Sequence, residues 1–240
     1  MDGPAKPPPR PGRKRVLLIL LVAAGALGVA IVGMATREPS QDYEQAAGTS
    51  DSQRIFGGVR QLDDRLGEDG APVQMQLFLD AQSETYRDQF LDTVPPLVSR
   101  KVRSGELKLL YRNRSLTRNA TELSFFAIEA AQEQGYGWQY AYLMFRNQEQ
   151  AKATGLDEEF LQTLAEAIPN LEVPEWKDDF EAGLEPGSAI EESLIEQDKL
   201  AIDLSIRDEP AAVVTGPNGT EVVQDAPDLD RLLQAIDSVR

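Results

Sequence analysis

Residues 71–112 read APVQMQLFLDAQSETYRDQFLDTVPPLVSRKVRSGELKLLYR, and their periodicity decides the fold. Val73, Met75, Leu77 and Leu79 fall on one face of an alternating run, which is strand spacing. Ser83 stands where a helix N-cap is expected, and Glu84 follows in the first turn, where a carboxylate complements the helix dipole. Phe90, Val94, Leu97, Val98 and Val102 then recur at helical spacing until Ser104-Gly105 ends the run. Leu107 to Tyr111 is a second apolar strand. Strand, helix and strand in this order predict a right-handed parallel unit.

Downstream, residues 116–184 are helical in pattern throughout. Leu123, Phe126, Ala127, Ala130 and Ala131 mark one helix, Tyr140, Leu143, Met144 and Phe145 a second, and Phe160, Leu161, Leu164 and Ile168 a third. Pro169 and Pro174 bracket a break before a short stretch with Trp176 and Phe180. Ile190 to Leu204 predicts another helix. Residues 210–215 and 221–223 predict a β-hairpin across Gly216-Pro217-Asn218-Gly219, where Asn-Gly favours a type I′ turn. Leu229, Leu232, Leu233, Ile236 and Val239 close the chain as an amphipathic helix.

Upstream, Ile55, Phe56, Val59, Leu62 and Leu66 suggest a short helix from Arg54, stopped by Gly67 to Gly70. Residues 36–53 are polar and aperiodic and read as a tether. Before them, Val16 to Ala35 gives 20 residues without a charge, the length of a membrane-spanning helix. That length exceeds the usual apolar run of a cleaved signal peptide, the competing reading suggested by Gly33-Met34-Ala35. Arg13-Lys14-Arg15 places residues 1–15 in the cytoplasm by the positive-inside bias, so everything beyond the span is expected outside a cell membrane. The expected organisation is thus a basic start at 1–15, a signal anchor at 16–35, a tether at 36–53 and a folded domain at 54–240.

The chain contains neither cysteine nor histidine. Disulfides, thiolate metal sites and cysteine nucleophiles are excluded together, and so is the commonest general base. Ser-Lys dyads, carboxylate pairs and oxygen-ligated metals remain open. From residue 37 onward 39 acids face 19 bases, a net charge of −20. Such a domain is repelled by nucleic acid and by anionic membrane surfaces. Neither Asp178-Asp179 nor Asp228-Leu229-Asp230 fits a calcium loop, so no metal and no cofactor are expected. The Asn-x-Ser/Thr matches at Asn113, Asn119 and Asn218 read as chance.

Several segments together resemble the DsbA-like branch of the thioredoxin superfamily, in its membrane-anchored bacterial form. They are Ala71-Pro72-Val73, Phe78-Leu79-Asp80, the turn Ser83 to Tyr86, Pro95-Pro96 and Gly105 to Arg112. Further on, Glu129 to Gly135, Trp138, Leu143-Met144-Phe145 and Asn147-Gln148 resemble the family's later segments in the same order. The resemblance covers about residues 70–240 and implies an α/β thioredoxin-like fold with a helical insertion at about 116–184. It also implies a cis-proline loop facing the active-site turn, with Pro210 as the candidate and Glu209 where the family has a small hydroxyl residue.

The family's Cys-x-x-Cys is replaced here by Ser83 and Tyr86. Disulfide exchange needs a thiolate that attacks sulfur and leaves again, and neither a hydroxyl nor a phenol does this. Ser83 is expected instead to cap the helix, worth ~1 kcal/mol. The expected function is a redox-inactive module at the outer face of the membrane, without catalytic residues. It would hold a protein or peptide partner in the groove near Ser83, Glu84, Tyr86, Glu209 and Pro210. The competing classes are a thiol–disulfide oxidoreductase relative that borrows cysteines from a partner, and an accessory subunit of a membrane protein complex.

Overall fold

The computed structural model describes residues 46–114, 123–206 and 210–240. In chain order its elements are α1 (Thr49–Phe56), β1 (Gln61–Leu62), β2 (Arg65–Leu66), β3 (Val73–Leu79), α2 (Glu84–Leu97) and β4 (Leu107–Asn113). The helices α3 (Leu123–Glu133), α4 (Gly137–Arg146), α5 (Gln148–Thr154), α6 (Glu158–Glu166), α7 (Val173–Gly183) and α8 (Ala189–Asp203) follow. The hairpin β5 (Ala211–Gly216) and β6 (Gly219–Val223) and the helix α9 (Leu229–Val239) complete the chain. The expected span at 16–35, the basic start and Asn119 lie outside the described residues. Among the described residues no helix is long and apolar enough to cross a membrane.

The six strands form one sheet in the order β1-β2-β4-β3-β5-β6. β3 and β4 run parallel, in register from Val73 opposite Leu107 to Leu79 opposite Asn113, as the strand–helix–strand reading predicts. On its other edge β3 pairs antiparallel with β5. The alternation of β3 sends Val73, Met75, Leu77 and Leu79 into the main core. Phe78, on the opposite face, joins Ala201, Ile206, Ala211 and Val213 in a second cluster. The central strand is therefore covered on both sides.

α2 passes through Pro95 and Pro96, which lack the N–H groups that the carbonyls of Leu91 and Asp92 would accept in an unbroken helix. The segment continues as a π turn over Val98–Val102, whose Val98 and Val102 stay buried. α3 is buried almost all round, with Glu129 and Gln132 among its enclosed residues, as suits a helix set between the sheet and the rest of the insertion. An aromatic column links these layers. Phe90 stacks on Phe145 at 4.6 Å, and Tyr111 meets Trp138 edge-on at 5.8 Å. Tyr140 stacks on Trp176 at 5.7 Å, and Trp176 on Phe180 at 5.4 Å. Two of their polar atoms find partners: Trp138 Nε1 donates to the Asp64 carbonyl at 3.0 Å and Tyr140 Oη to that of Leu161 at 2.8 Å, while the buried Tyr111 hydroxyl has none among the described residues.

Three expectations change. The helix near residue 55 begins at Thr49, inside the expected tether, and Ala46 is already buried. Asn147 holds this start, accepting from Ala47 N at 2.8 Å and donating to its carbonyl at 3.0 Å. The same helix stops at Phe56, because Gly57-Gly58 breaks it and Gly58 takes φ 73°. Leu62 and Leu66 then lie on the tight pair β1–β2, turned at Asp63 with φ 51°. The β5–β6 hairpin forms as expected, but Pro217 and Asn218 are its central residues. Neither has a positive φ, since proline cannot adopt one, so the turn is not type I′. Asn113, the first glycosylation match, is buried at the end of β4.

Candidate functional site

The turn between β3 and α2 is built by Asp80, whose Oδ1 accepts from Gln82 N at 2.8 Å and whose carbonyl accepts from Ser83 N at 3.2 Å. Ser83 takes the extended conformation of an N-cap, φ −88° and ψ 132°, and its carbonyl accepts the first helical bond from Arg87 N at 3.0 Å. Its hydroxyl accepts no helix N–H, so the expected side-chain cap does not form. The caps at Asp157, Ser188 and Asp228 do, each accepting from the N–H three residues on.

α5 ties this turn down from the side. Gln148 Nε2 donates to the Ala81 carbonyl at 2.6 Å and the Ser83 carbonyl at 3.1 Å, while its buried Oε1 has no partner among the described residues. Lys152 pairs with Glu84 and, at 3.4 Å, with Glu149. Glu149 also meets Arg87 at 2.7 Å, and Arg87 meets Asp88 at 2.9 Å. The bonds from Arg87 and Lys152 hold the Glu149 carboxyl below the usual carboxylate range. The bond to Glu84, helped by Glu149, raises Lys152 above the usual lysine value. Lys152 is thus engaged by two carboxylates, and among the described residues no hydrogen bond joins it to Ser83.

The expected groove residues do not share one surface. Glu84 is exposed and Ser83 half-buried, but Tyr86 is 2% exposed and belongs to the main core. A partner cannot touch Tyr86 without unpacking that core, which corrects the expectation of a Tyr86-lined groove. Pro210 is buried too, and its carbonyl accepts from Ala226 N at 3.0 Å. The β3–β5 register ends with Phe78 opposite Ala211, which brings Pro210 to the same end of the sheet as Leu79 and the turn. Glu209 and the Glu209–Pro210 bond lie outside the described residues. Beside the turn opens a cavity of about 200 Å³, lined by Ala81, Gln82, Met144, Gln148, Ala151 and Leu156. Sequence reasoning missed Gln148 and Lys152 as neighbours of the turn. The only signal was Asn147-Gln148 itself, which one residue uses to hold the domain's start and the next to hold Ala81 and Ser83.

The sheet order, the β3–α2–β4 unit, the helices inserted after β4 and the closing β5–β6–α9 give this chain the DsbA-like form of the thioredoxin fold, with no cysteine at the turn. Neither a protein-family model nor a curated protein matches it. Solved structures similar to it include BdbD from Bacillus subtilis, with TM-score 0.61 and 17% identity over 75% of this chain and 96% of that one. DsbA from Chlamydia trachomatis gives TM-score 0.62 and 16% identity over 74% and 91%. BcfH from Salmonella enterica Typhimurium gives 0.55 and 16% over 94% and 93%. At these identities the likeness is one of fold.

Proposed function

We propose that this chain is a membrane-anchored, extracytoplasmic thioredoxin-fold protein that binds a protein or peptide partner beside the former active-site turn and carries out no thiol chemistry. The observation that carries this reading is a turn held in place without its sulfur. Gln148 fixes two of its carbonyls and Lys152 its first helical carboxylate, although no thiolate is there to be positioned. The surface offered is Gln82, Ser83, Glu84 and Thr85 with the adjoining cavity, whose Ala81, Met144, Ala151 and Leu156 suit one apolar side chain. Tyr86 and Pro210 act from below, as supports. The anchor rests on the uncharged run Val16 to Ala35 and its basic flank.

Three measurements test it. The purified full-length protein shows no insulin reduction or dithiol oxidation above a protein-free control; sustained turnover with contaminating thiols excluded overturns the reading. The protein stays in the membrane pellet after alkaline carbonate extraction, and release into the supernatant removes the anchor. A photo-crosslinking residue at the exposed position Thr85 captures a partner that one at the exposed Ile202 of α8 does not. Equal capture at both moves the binding surface elsewhere.

A further inference from the structure

A second cavity, of about 570 Å³, is lined by none of the residues of the turn. It opens where the β1–β2 turn, the end of β4, α3 and α8 meet, through Asp63, Asp64, Arg112, Glu129, Gln132 and Gln197 among others. Its volume suits a small molecule rather than a protein surface. Its charge is one-sided. Arg112 is the sole base of the lining, and it is committed: it pairs with Asp64 and donates Nε to Gln76 Oε1 at 2.9 Å. Asp63, Glu133 and Glu196 remain on the rim without an ion-pair partner among the described residues. At the floor lies Glu129, 9% exposed.

Two details separate this cavity from a chance gathering of acids. Glu129 is held by a preformed polar frame, with Asn113 Nδ2 at 2.7 Å and Gln197 Nε2 at 2.9 Å both reaching Oε1. Gln197 is itself fixed, accepting from Asn113 N at 2.6 Å and donating to Ser193 Oγ at 3.1 Å. No described donor reaches the other carboxylate oxygen, Oε2. The second detail is Gln132, 5% exposed, lining the cavity with its Nε2 buried and unpartnered. Its side chain lies so close over Gly137 that a Cβ there would come within 2.2 Å of Gln132 Cγ, so only a glycine leaves room for it. A buried amide hydrogen without an acceptor is unfavourable, a cost that a ligand oxygen would recover.

We propose that this cavity binds a small organic cation, an ammonium or guanidinium compound that also carries an oxygen acceptor. The cationic group bonds Glu129 Oε2 at the floor, the oxygen accepts from Gln132 Nε2, and the carboxylates of the rim supply the field that draws the ligand in. The domain's excess of 39 acids over 19 bases acts in the same direction at longer range. Among the described residues no cluster of acids is placed to hold a metal ion, and the amide donor of Gln132 calls for an occupant that carries an oxygen acceptor besides its charge.

The test uses the purified full-length protein and argininamide, which joins a guanidinium and an ammonium to an amide carbonyl. Citrulline, of similar length but without net positive charge, is the control. Titration calorimetry gives an argininamide Kd of about 1 mM or tighter, the weak end of measurable specific binding, and no citrulline binding in that range. Glu129→Gln weakens argininamide binding about tenfold or more, the loss of one charge-assisted hydrogen bond. Gln132→Leu weakens it less. If Glu129→Gln fails to fold, the exposed Glu196→Gln and Asp63→Asn decide, each weakening binding without changing the far-ultraviolet circular dichroism. Equal binding of the two compounds, no argininamide binding in that range, or binding unmoved by the folded variants each overturns the proposal. So does binding lost on Glu84→Gln at the turn and retained in the cavity variants.

Discussion

Two buried regions of this domain are built on opposite principles. The column from Tyr111 through Trp138 and Phe90 to Phe145 is aromatic; Trp138 Nε1 is tied to a backbone carbonyl, and the buried Tyr111 hydroxyl has no hydrogen-bond partner among the described residues. The seam where α3, α8 and the end of β4 meet is polar instead, with Glu129, Gln197 and Asn113 bonded to one another beside an open cavity. The first region stabilises through area and contact, which are non-directional and tolerate no void. The second gains little net stability from its bonds, because each replaces a bond to water. Its value lies in holding donors and acceptors at set positions. The column supports the scaffold, and the seam is the region on which the proposed cation binding rests.

The widest separation between the two is expected from Trp138→Ala. It empties the centre of the column and removes one of the two hydrogen bonds that the Asp64 carbonyl accepts, the other coming from Tyr111 N, lowering stability by about 3–5 kcal/mol in chemical denaturation. A loss below about 1 kcal/mol would show that the column is not the main support. Gln148→Ala comes next. It releases the Ala81 and Ser83 carbonyls and should cost about 1–3 kcal/mol, concentrated locally. Hydrogen exchange across residues 80–88 should accelerate while β3 stays protected, and uniform acceleration would contradict a clamp confined to the turn.

The seam gives a smaller effect with a definite sign. Burial raises the Glu129 carboxyl, opposed by its bonds from Gln197 and Asn113 and by Arg112, and assisted by Asp64. Asp63, Glu133 and Glu196 line the same cavity. With a raised pKa in the folded state, the group's contribution is fully present below the ordinary carboxylate value and is lost as pH rises through the raised one. Glu129→Gln, which cannot ionise, should therefore gain stability relative to the parent between about pH 4 and about pH 7. A difference that stays flat or reverses over that range would mean that Glu129 is well solvated. The smallest effect is assigned to Lys152→Ala. Its ion pairs are exposed, and the variant's unfolding midpoint should match the parent's within error.

The sequence revealed the column far better than the seam. Strand β3 falls on the residues whose alternation predicts it, and α8 begins and ends within one residue of Ile190 and Leu204. Such patterns are local, and helix and strand periods imprint themselves on neighbouring residues. Residues 54–66 misled because five apolar side chains at helical spacing also suit a short helix followed by a tight hairpin. Gly57-Gly58 was the signal to weigh. Tyr86 stands in the turn's first helical coil, and only the packing of distant residues decides that it points inward. Residues 113, 129 and 197 share no local pattern at all. They meet because β4, α3 and α8 converge, and no spacing in the chain records it.

The position of β5 also governs how this chain must assemble. Gln74 pairs with Thr215, 141 residues further on, while β3 and β4 are joined through a single helix. The β3–α2–β4 unit can thus form early from contacts close in sequence, but one edge of its central strand waits for almost the whole polypeptide. Until residues 211–216 arrive, that edge presents unpaired N–H and C=O groups and an uncovered Phe78, a surface open to wrong partners. Synthesis that stalls before the last hairpin leaves this edge exposed, so the final thirty or so residues act as the latch that makes the domain safe from aggregation.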